Sequence, residues 1–202
     1  DWSSDVCSSD LADPAKEAIH ATLDEKIEVG GAETVELWPN TNDATLPFQP
    51  LEGAVWKVGV KNTGAMCNYG TTFAVVTTNN QIVLGDQDGV ISNAGLEAEI
   101  KDSANAYLFT FLIDGSEFLA MRLDSGVWVF NRRSGTFSTF ETYNTGDWTP
   151  ACFVDDIFGS SVDGKTFAFS GYVDEGTVLE RRFRAGFPVN GGAIPVDRSE
   201  EH

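Results

Sequence analysis

The chain has 202 residues, a length that suits one domain and can bury a core without disulfides or metal ions. Its composition is 42% hydrophobic and 11% aromatic, which excludes a disordered polypeptide, and no run of about 18 apolar residues could span a membrane as a helix. The 31 acidic residues outnumber the 13 Lys and Arg residues and give a net charge of −18, which repels nucleic-acid phosphates.

Residues 1–11 read DWSSDVCSSDL, a string that resembles a translated sequencing-adapter fragment. We therefore expect a non-native tail outside the fold and one β-rich domain over residues 12–202. Such a tail would replace the true N-terminus, where a signal peptide could have stood, so a secreted or periplasmic protein remains an expectation. The alternative is a natural, flexible tail rich in Ser and Asp.

Asp13-Pro14 predicts the start of a short helix over about residues 14–27. Asp is a favoured N-cap, and Pro is favoured at the first helical position. Apolar residues then recur every four positions, at Ala15, Ile19, Leu23 and Ile27. Gly30-Gly31 would end this helix.

From residue 32 onward the apolar period changes to two, which is typical of half-buried strands. Residues 54–61 show the alternation. Residues 71–78 and 81–84 flank Asn79-Asn80, a pair typical of a tight hairpin turn.

The clearest pattern is the sequence YLFTFLI at 107–113, which is apolar on nearly both faces and predicts a strand covered on both sides. Further strands follow at 117–123, 127–130 and 136–143. Gly115, Gly126 and Gly135 stand at the turns between them, where glycine takes a positive φ without steric cost. The segment predicts an antiparallel β-meander.

The C-terminal part is less regular. Residues 147–163 are interpreted as a long connection, and Asp174-Glu175-Gly176 joins a predicted hairpin of strands 165–173 and 177–183. After Phe187 the chain is expected to be extended or loose.

About nine short strands with a turn every ten residues predict an all-β fold, an antiparallel meander forming a two-sheet sandwich with one short N-terminal helix. A closed barrel is the alternative. A propeller would show a repeat of about 40 residues, and none is visible in the sequence.

Outside the tail the chain has two cysteines, neither in a C-x-x-C motif. Zinc is disfavoured because a structural site needs four ligands at defined spacings. An even pair in a Gly-rich β-domain predicts a Cys67–Cys152 disulfide and an extracytoplasmic compartment. Two separate buried thiols are the alternative.

The aromatic residues of the meander suggest a binding surface. Trp128 and Phe130 share one face of a strand and, with Tyr143, could stack on sugar rings or line an apolar cavity. Arg132 and Arg133 lie beside them and could hold an anionic group. The alternatives are a strand buried on both faces and arginines paired with the protein's own acids.

Asp86 and Asp88, followed by Gly89, resemble part of a calcium loop, since alternate Asp residues place hard oxygen ligands on one side of a turn. A plain reverse turn is the alternative. No other cofactor is expected.

Few residues suit catalysis. His20 is the only histidine before the chain end, and no G-x-S-x-G, H-E-x-x-H or P-loop motif is present. Paired carboxylates could hydrolyse glycosides; the candidates are Glu117, Glu141, Glu180, Asp155 and Asp156. Surface carboxylates that only solubilise the protein are the alternative.

These observations lead to three functional hypotheses. The first is a secreted or periplasmic, non-enzymatic β-domain that binds a small-molecule or carbohydrate ligand. The second is a structural or adhesive module that contacts a cell-envelope protein. The third is a carboxylate-dependent glycoside hydrolase.

Overall fold

A computed structural model describes the backbone of residues 15–21, 26–85, 89–142, 147–160, 164–168, 173–174, 177–178, 184–189 and 192–197, with side chains described from residue 26 to residue 168 within these ranges. Two compact units are formed, Asp1–Phe169 and Ser170–His202. The expectation of a single domain from residue 12 remains a prediction.

The first unit has four antiparallel sheets. Sheet 1 contains β1 (Ala15–Ala21), β2 (Lys26–Gly31), β3 (Val35–Pro39) and β4 (Val55–Trp56), and sheet 2 contains β5 (Met66–Tyr69), β6 (Thr72–Val76) and β7 (Ile82–Leu84). After helix α1 (Ala94–Asp102), sheet 3 contains β8 (Tyr107–Ile113), β9 (Ser116–Leu123), β10 (Gly126–Asn131) and β11 (Thr136–Phe140). Sheet 4 contains β12 (Pro150–Val154), β13 (Ile157–Ser160) and β14 (Thr166–Phe167).

The described residues of the second unit form two strand pairs. One joins β15 (Val173–Asp174) to β16 (Thr177–Val178), with Val173 opposite Val178 and Asp174 opposite Thr177, while Glu175 and Gly176 of the expected turn lie outside the described residues. The other joins β17 (Arg184–Val189) to β18 (Gly192–Asp197). Of the two expectations for the tail after Phe187, extended or loose, the structure shows the extended one, since these residues pair in register from Arg184–Asp197 to Val189–Gly192.

Every sheet of the first unit is a meander in which spatial order follows chain order. The first strands begin at residues 15, 66, 107 and 150, which gives intervals of 51, 41 and 43 residues. The repeat that was not visible in the sequence is therefore present in the structure. The repeat is not visible in the sequence because strands at the same position in different sheets have different amino-acid sequences.

The sheets pack face to face around two hydrophobic cores. The larger core lies mainly between sheets 2 and 3 and includes Phe73, Val75, Leu108 and Met121. The smaller core lies between sheets 3 and 4 and is built around Phe111, Trp148 and Phe158. Sheet 3 is therefore covered on both faces, as predicted for the strand at 107–113.

The predicted all-β class is confirmed. The antiparallel strands and the sheets packed on one another agree with a sandwich-like arrangement, although the first unit has four sheets where two were expected. No closed barrel forms among the described strands. No helix in the described part of the chain is long and apolar enough to cross a membrane.

The predicted helix at 14–27 is wrong. Ala15–Ala21 forms β1 and pairs with β2, from Ala15 opposite Gly31 to Ala21 opposite Lys26. An apolar residue at every fourth position is compatible with an alternating strand as well as with a helix. Pairing along a sheet overrides the local preference here.

The one helix among the described residues is α1, which was not predicted. Asn93 is its N-cap, and the Asn93 side chain accepts a hydrogen bond from the Leu96 amide at 3.0 Å. Leu96 and Ile100, one turn apart, bury fully against the larger core. A stripe of only two apolar residues is too short for a periodicity argument.

Two other segments differ from the expectation. The 147–163 connection contains the β12–β13 hairpin of sheet 4. The strand expected at 54–61 shortens to Val55–Trp56, because the Val60 amide turns to donate to the Gly31 carbonyl at 2.8 Å.

Candidate functional site

The first strands of sheets 2, 3 and 4 border one cleft, since β8 contacts both β5 and β12. This first-strand cleft has a volume of about 390 Å³ and is open to solvent. Its lining includes Cys67 and Asn68 of β5, Tyr107, Leu108 and Thr110 of β8, and Cys152 and Phe153 of β12.

Strands β5 and β8 run in the same direction. Where they begin, the Leu108 amide donates a hydrogen bond to the Gly64 carbonyl at 2.7 Å. Beyond their other ends, the Gly70 amide donates to Oε1 of Glu117 at 2.9 Å. Two hydrogen bonds at opposite ends therefore fix the relative register of sheets 2 and 3.

Strand β12 follows the same direction. Arg122 lies opposite Tyr107, at the start of β8, and its guanidinium donates to the carbonyls of Trp148 and Pro150, where β12 begins. Further along, the ring centroids of Phe111 and Phe153 lie 6.4 Å apart. The cleft is thus framed by three strands that start at the same end.

The cleft lining combines hydrogen-bonding groups with apolar surface. Asn68 supplies an amide, Thr110 a hydroxyl, and Tyr107 a phenol whose side chain is 43% exposed, while Leu108 and Phe153 supply apolar surface. Polar and apolar groups contribute nearly equally to the lining, which is more polar than is typical of small-molecule sites. Among the described residues, its lining includes no carboxylate and no imidazole.

Residues 9–134 match the model of a protein family described as bacteriophage P22 Gp10, β-propeller. This match covers more than half of the 202 residues. The chain belongs to this family. No curated protein matches the sequence.

The P22 Gp10 family match spans sheets 1 and 2, α1 and the first three strands of sheet 3. A propeller is built from blades that are four-stranded antiparallel sheets around a central channel. Sheets 1 and 3 have that composition. Contacts between β1 and β5, β5 and β8, and β8 and β12 link the first strands of successive sheets, which is the order that blades require.

The predicted disulfide is not formed in this family member, because both cysteines remain thiols. Cys67 lies on β5 and Cys152 on β12, and β8 stands between these strands as the contact partner of both. The two thiols line the same cleft from opposite sides. The cysteine argument for an oxidising compartment is thereby removed.

The predicted aromatic platform is not exposed. Phe130 is 5% exposed and belongs to the larger core, with its ring centroid 4.8 Å from that of Phe137. Trp128 packs against the same core, and its indole N–H donates to Glu99 of α1 at 2.8 Å. Val127 and Val129 face the smaller core, so both faces of the strand are covered. Tyr143 lies outside the described residues.

Arg132 serves the packing of sheet 2 against sheet 3. Its guanidinium carbon lies 5.5 Å from the centre of the Tyr69 ring. Burial first, and the Glu117 carboxylate second, raise the pKa of Tyr69 to about 12, against the smaller opposing effect of Arg132. Arg133 is exposed, and its amide donates to the Asn131 side chain within the β10–β11 turn. The structure brings neither arginine to the cleft.

The remaining predicted sites lie apart from the cleft. Asp86 and Asp88, the calcium candidates, lie outside the described residues. The described part of the chain holds no group of three or more His, Cys, Asp or Glu side chains arranged to bind a metal ion.

The candidate carboxylates occupy separate elements. Glu117 accepts a hydrogen bond from the Gly70 amide, and Glu141 follows β11. Glu180 lies outside the described residues. Asp155 and Asp156 form the β12–β13 turn with φ angles of 50° and 64°, which a two-residue hairpin turn requires. Glycoside hydrolysis stays a prediction of the sequence.

Sequence reasoning missed the residues that line the cleft. Asn68 and Thr110 are polar positions inside otherwise apolar strands, and that interruption was the available signal. It could not be interpreted without knowing that β5, β8 and β12 are neighbours.

Proposed function

We propose that this chain is a structural protein of a bacteriophage particle, which it stabilises through contacts with other particle proteins. The observation that carries the proposal is the match of residues 9–134 to the bacteriophage P22 Gp10 family, whose model is named for phage stabilisation. This develops the structural-module hypothesis, with a particle protein as partner in place of a cell-envelope protein.

Side-chain hydrogen bonds between the elements support a structural role. Lys61 donates from Nζ to the Asn80 side chain at 2.8 Å and to the Ile100 carbonyl at 2.6 Å, which joins sheet 2 to the end of α1. Glu99 of α1 accepts hydrogen bonds from Ser125 and Trp128 of sheet 3, each at 2.8 Å. Because these hydrogen bonds join sheet 2, α1 and sheet 3, the three elements can keep their relative positions when another protein binds.

The experiment compares particles purified from phage with and without the gene. Quantitative mass spectrometry is expected to find the chain in the normal particles at a fixed ratio to the main coat protein. Particles that contain no copies, from a phage that expresses the gene, would overturn the proposal.

A second candidate function is the binding of a small neutral ligand or sugar in the first-strand cleft. The amide of Asn68, the hydroxyl of Thr110 and the half-exposed ring of Tyr107 favour it. Glucose, galactose and N-acetylglucosamine at millimolar concentration are the probes. A rise in Tm that Tyr107→Ala abolishes is expected, and equal shifts in both proteins would contradict the site.

The location follows from the main proposal. The sequence suggested a secreted or periplasmic protein; as a particle component, the chain would instead reach the medium inside released particles. Fractionation of an infected culture is expected to show the extracellular chain sedimenting with particles. Extracellular chain that remains in the supernatant would favour separate secretion.

A further inference from the structure

The β3–β4 loop, residues 40–54, is the long excursion at the outer edge of sheet 1. Strand β4 is the edge opposite β1, and β1 is the strand that contacts β5. The loop therefore projects from the side of the sheet that lies away from the first-strand cleft.

The loop backbone is held in one conformation by its own hydrogen bonds. The Asp43 carboxylate accepts from the Thr45 amide at 2.7 Å and the Leu46 amide at 3.2 Å. The Thr41 hydroxyl donates to the Leu46 carbonyl at 2.8 Å. At the base, the Leu51 amide donates to the Leu37 carbonyl of β3 at 2.8 Å. These bonds lie within the loop and at its base, so the conformation of the loop does not depend on a partner.

This ordered loop presents apolar side chains to water. Leu46 is 53% exposed, Leu51 is 46% exposed, and Val55 just beyond the loop is 46% exposed. Exposed apolar groups on a rigid segment gain free energy when a partner covers them, and the rigidity lowers the entropic cost of binding. The combination is typical of a protein contact surface.

The negative charge of the loop restricts the kind of protein surface that could bind it. Asp43 and Glu52 are its charged residues, and no Lys or Arg occurs between positions 40 and 56. The whole chain carries a net charge of −18, so a second copy would be repelled. A surface that offers Lys or Arg beside apolar pockets would be attracted.

We propose that the β3–β4 loop docks this chain onto a basic protein of the phage particle, with Leu46 and Leu51 inserted into apolar sites of that partner. The inference rests on the proposed function, because the partner is a component of the particle. Asp43 and Glu52 lie opposite basic residues of the partner and steer the encounter.

The test measures binding of the full, labelled chain to purified particles from phage that lack the gene. The variant Leu46→Glu/Leu51→Glu is expected to bind at least tenfold more weakly than the natural chain. Leu112→Glu is the matched control, because Leu112 is 49% exposed on β8 and lies outside the loop. Its binding is expected to be unchanged. Glu52→Gln is expected to reduce the salt dependence of binding.

Circular dichroism and Tm establish that each variant is folded, and Leu46→Ala/Leu51→Ala replaces the Glu variant if that one unfolds. Equal binding by the natural chain and the folded loop variant would overturn the docking role while leaving the proposed function intact. A natural chain that neither binds these particles nor occurs in normal ones would overturn the proposed function itself. Self-association of the purified chain that the loop variant abolishes would make a second copy the occupant and would also overturn the inference.

Discussion

Tyr69 stands at the junction of sheets 2 and 3, with no exposed surface, below the guanidinium of Arg132. Its pKa is raised to about 12, chiefly by burial. The folded protein therefore retains the phenolic proton at a pH where the unfolded chain has lost it. The stability that this contributes is fully present below pH 10 and is lost as the pH rises toward 12.

We expect the natural chain to lose about 2 kcal/mol of unfolding free energy between about pH 9 and pH 11.5 through this group alone. Tyr69→Phe has no ionisable phenol and should lose correspondingly less. Urea unfolding at both pH values measures the difference. Tyr107→Phe, at a half-exposed ring, is the control and should behave like the natural chain. Equal pH dependence in all three proteins would contradict the assignment.

Glu28 on β2 is 6% exposed, and its Oε2 has no hydrogen-bond partner among the described residues. Burial raises the pKa of Glu28, and the attraction of Lys26 offsets part of that rise. A raised pKa favours the folded state below the normal value of 4.5, and this contribution is lost as the pH rises through the folded pKa.

Glu28→Gln removes the cost of a buried negative charge, so at neutral pH we expect the variant to be more stable than the natural chain. At about pH 4 the two proteins should be nearly equal, since Glu28 is then protonated. Thermal unfolding at both pH values checks this, with Glu52→Gln in the exposed loop as control. A loss of stability at neutral pH would mean that Glu28 is ionised and paired.

Helix α1 depends on its N-cap, because nine residues form too short a helix to be stable alone. Asn93→Ala leaves the Leu96 amide without its acceptor and is expected to cost about 1 kcal/mol, whereas Asn93→Asp should preserve the cap. Chemical denaturation measures both. Equal losses in the two variants would show that the cap is not what matters at this position.

One face of sheet 3 packs against the smaller core. In this core Phe111 is 1% exposed, and its ring centroid lies 5.2 Å from that of Phe118 and 5.4 Å from that of Phe158. Phe111→Ala is expected to cost about 3–5 kcal/mol because neighbouring strands cannot collapse into the space. Leu112→Ala, at the exposed next position, should change stability by less than about 0.5 kcal/mol. Similar losses of stability in the two variants would contradict this packing of Phe111.

The same elements show what the sequence can predict. The strands from 107 to 140 were predictable because alternation and turn glycines agree, and Asp114-Gly115 does take the positive φ angles of 49° and 71° expected of such a turn. The N-terminal strand could not be predicted, since an apolar residue at every fourth position fits both a helix and a strand. Its pairing with residues 26–31 decides the matter, and pairing is not a local property.

The candidate site was harder to predict than the fold. Trp128 and Phe130 were expected to be available to a ligand because a sheet that packs against one core leaves its other face exposed. Because sheet 3 is covered on both sides, Trp128 and Phe130 are not available to a ligand. The cleft forms instead where β5, β8 and β12 meet. A site assembled from three sheets leaves only scattered signals, such as Thr110 within an apolar strand.

At the scale of the molecule, the sheets of the first unit follow one another as successive meanders linked through their first strands. Each sheet is stabilised by its neighbours, and side chains such as Arg122 and Lys61 join elements that the cores alone would leave independent. This arrangement is consistent with the proposed function, in which the chain helps to stabilise a phage particle through contacts with other particle proteins.

The most direct measurement is the thermal stability of particles that lack the chain, before and after the purified chain is added back. We predict that particles without it release their genome at a lower temperature than complete particles, and that the added chain restores the normal temperature. Particles of equal stability with and without the chain would contradict the account.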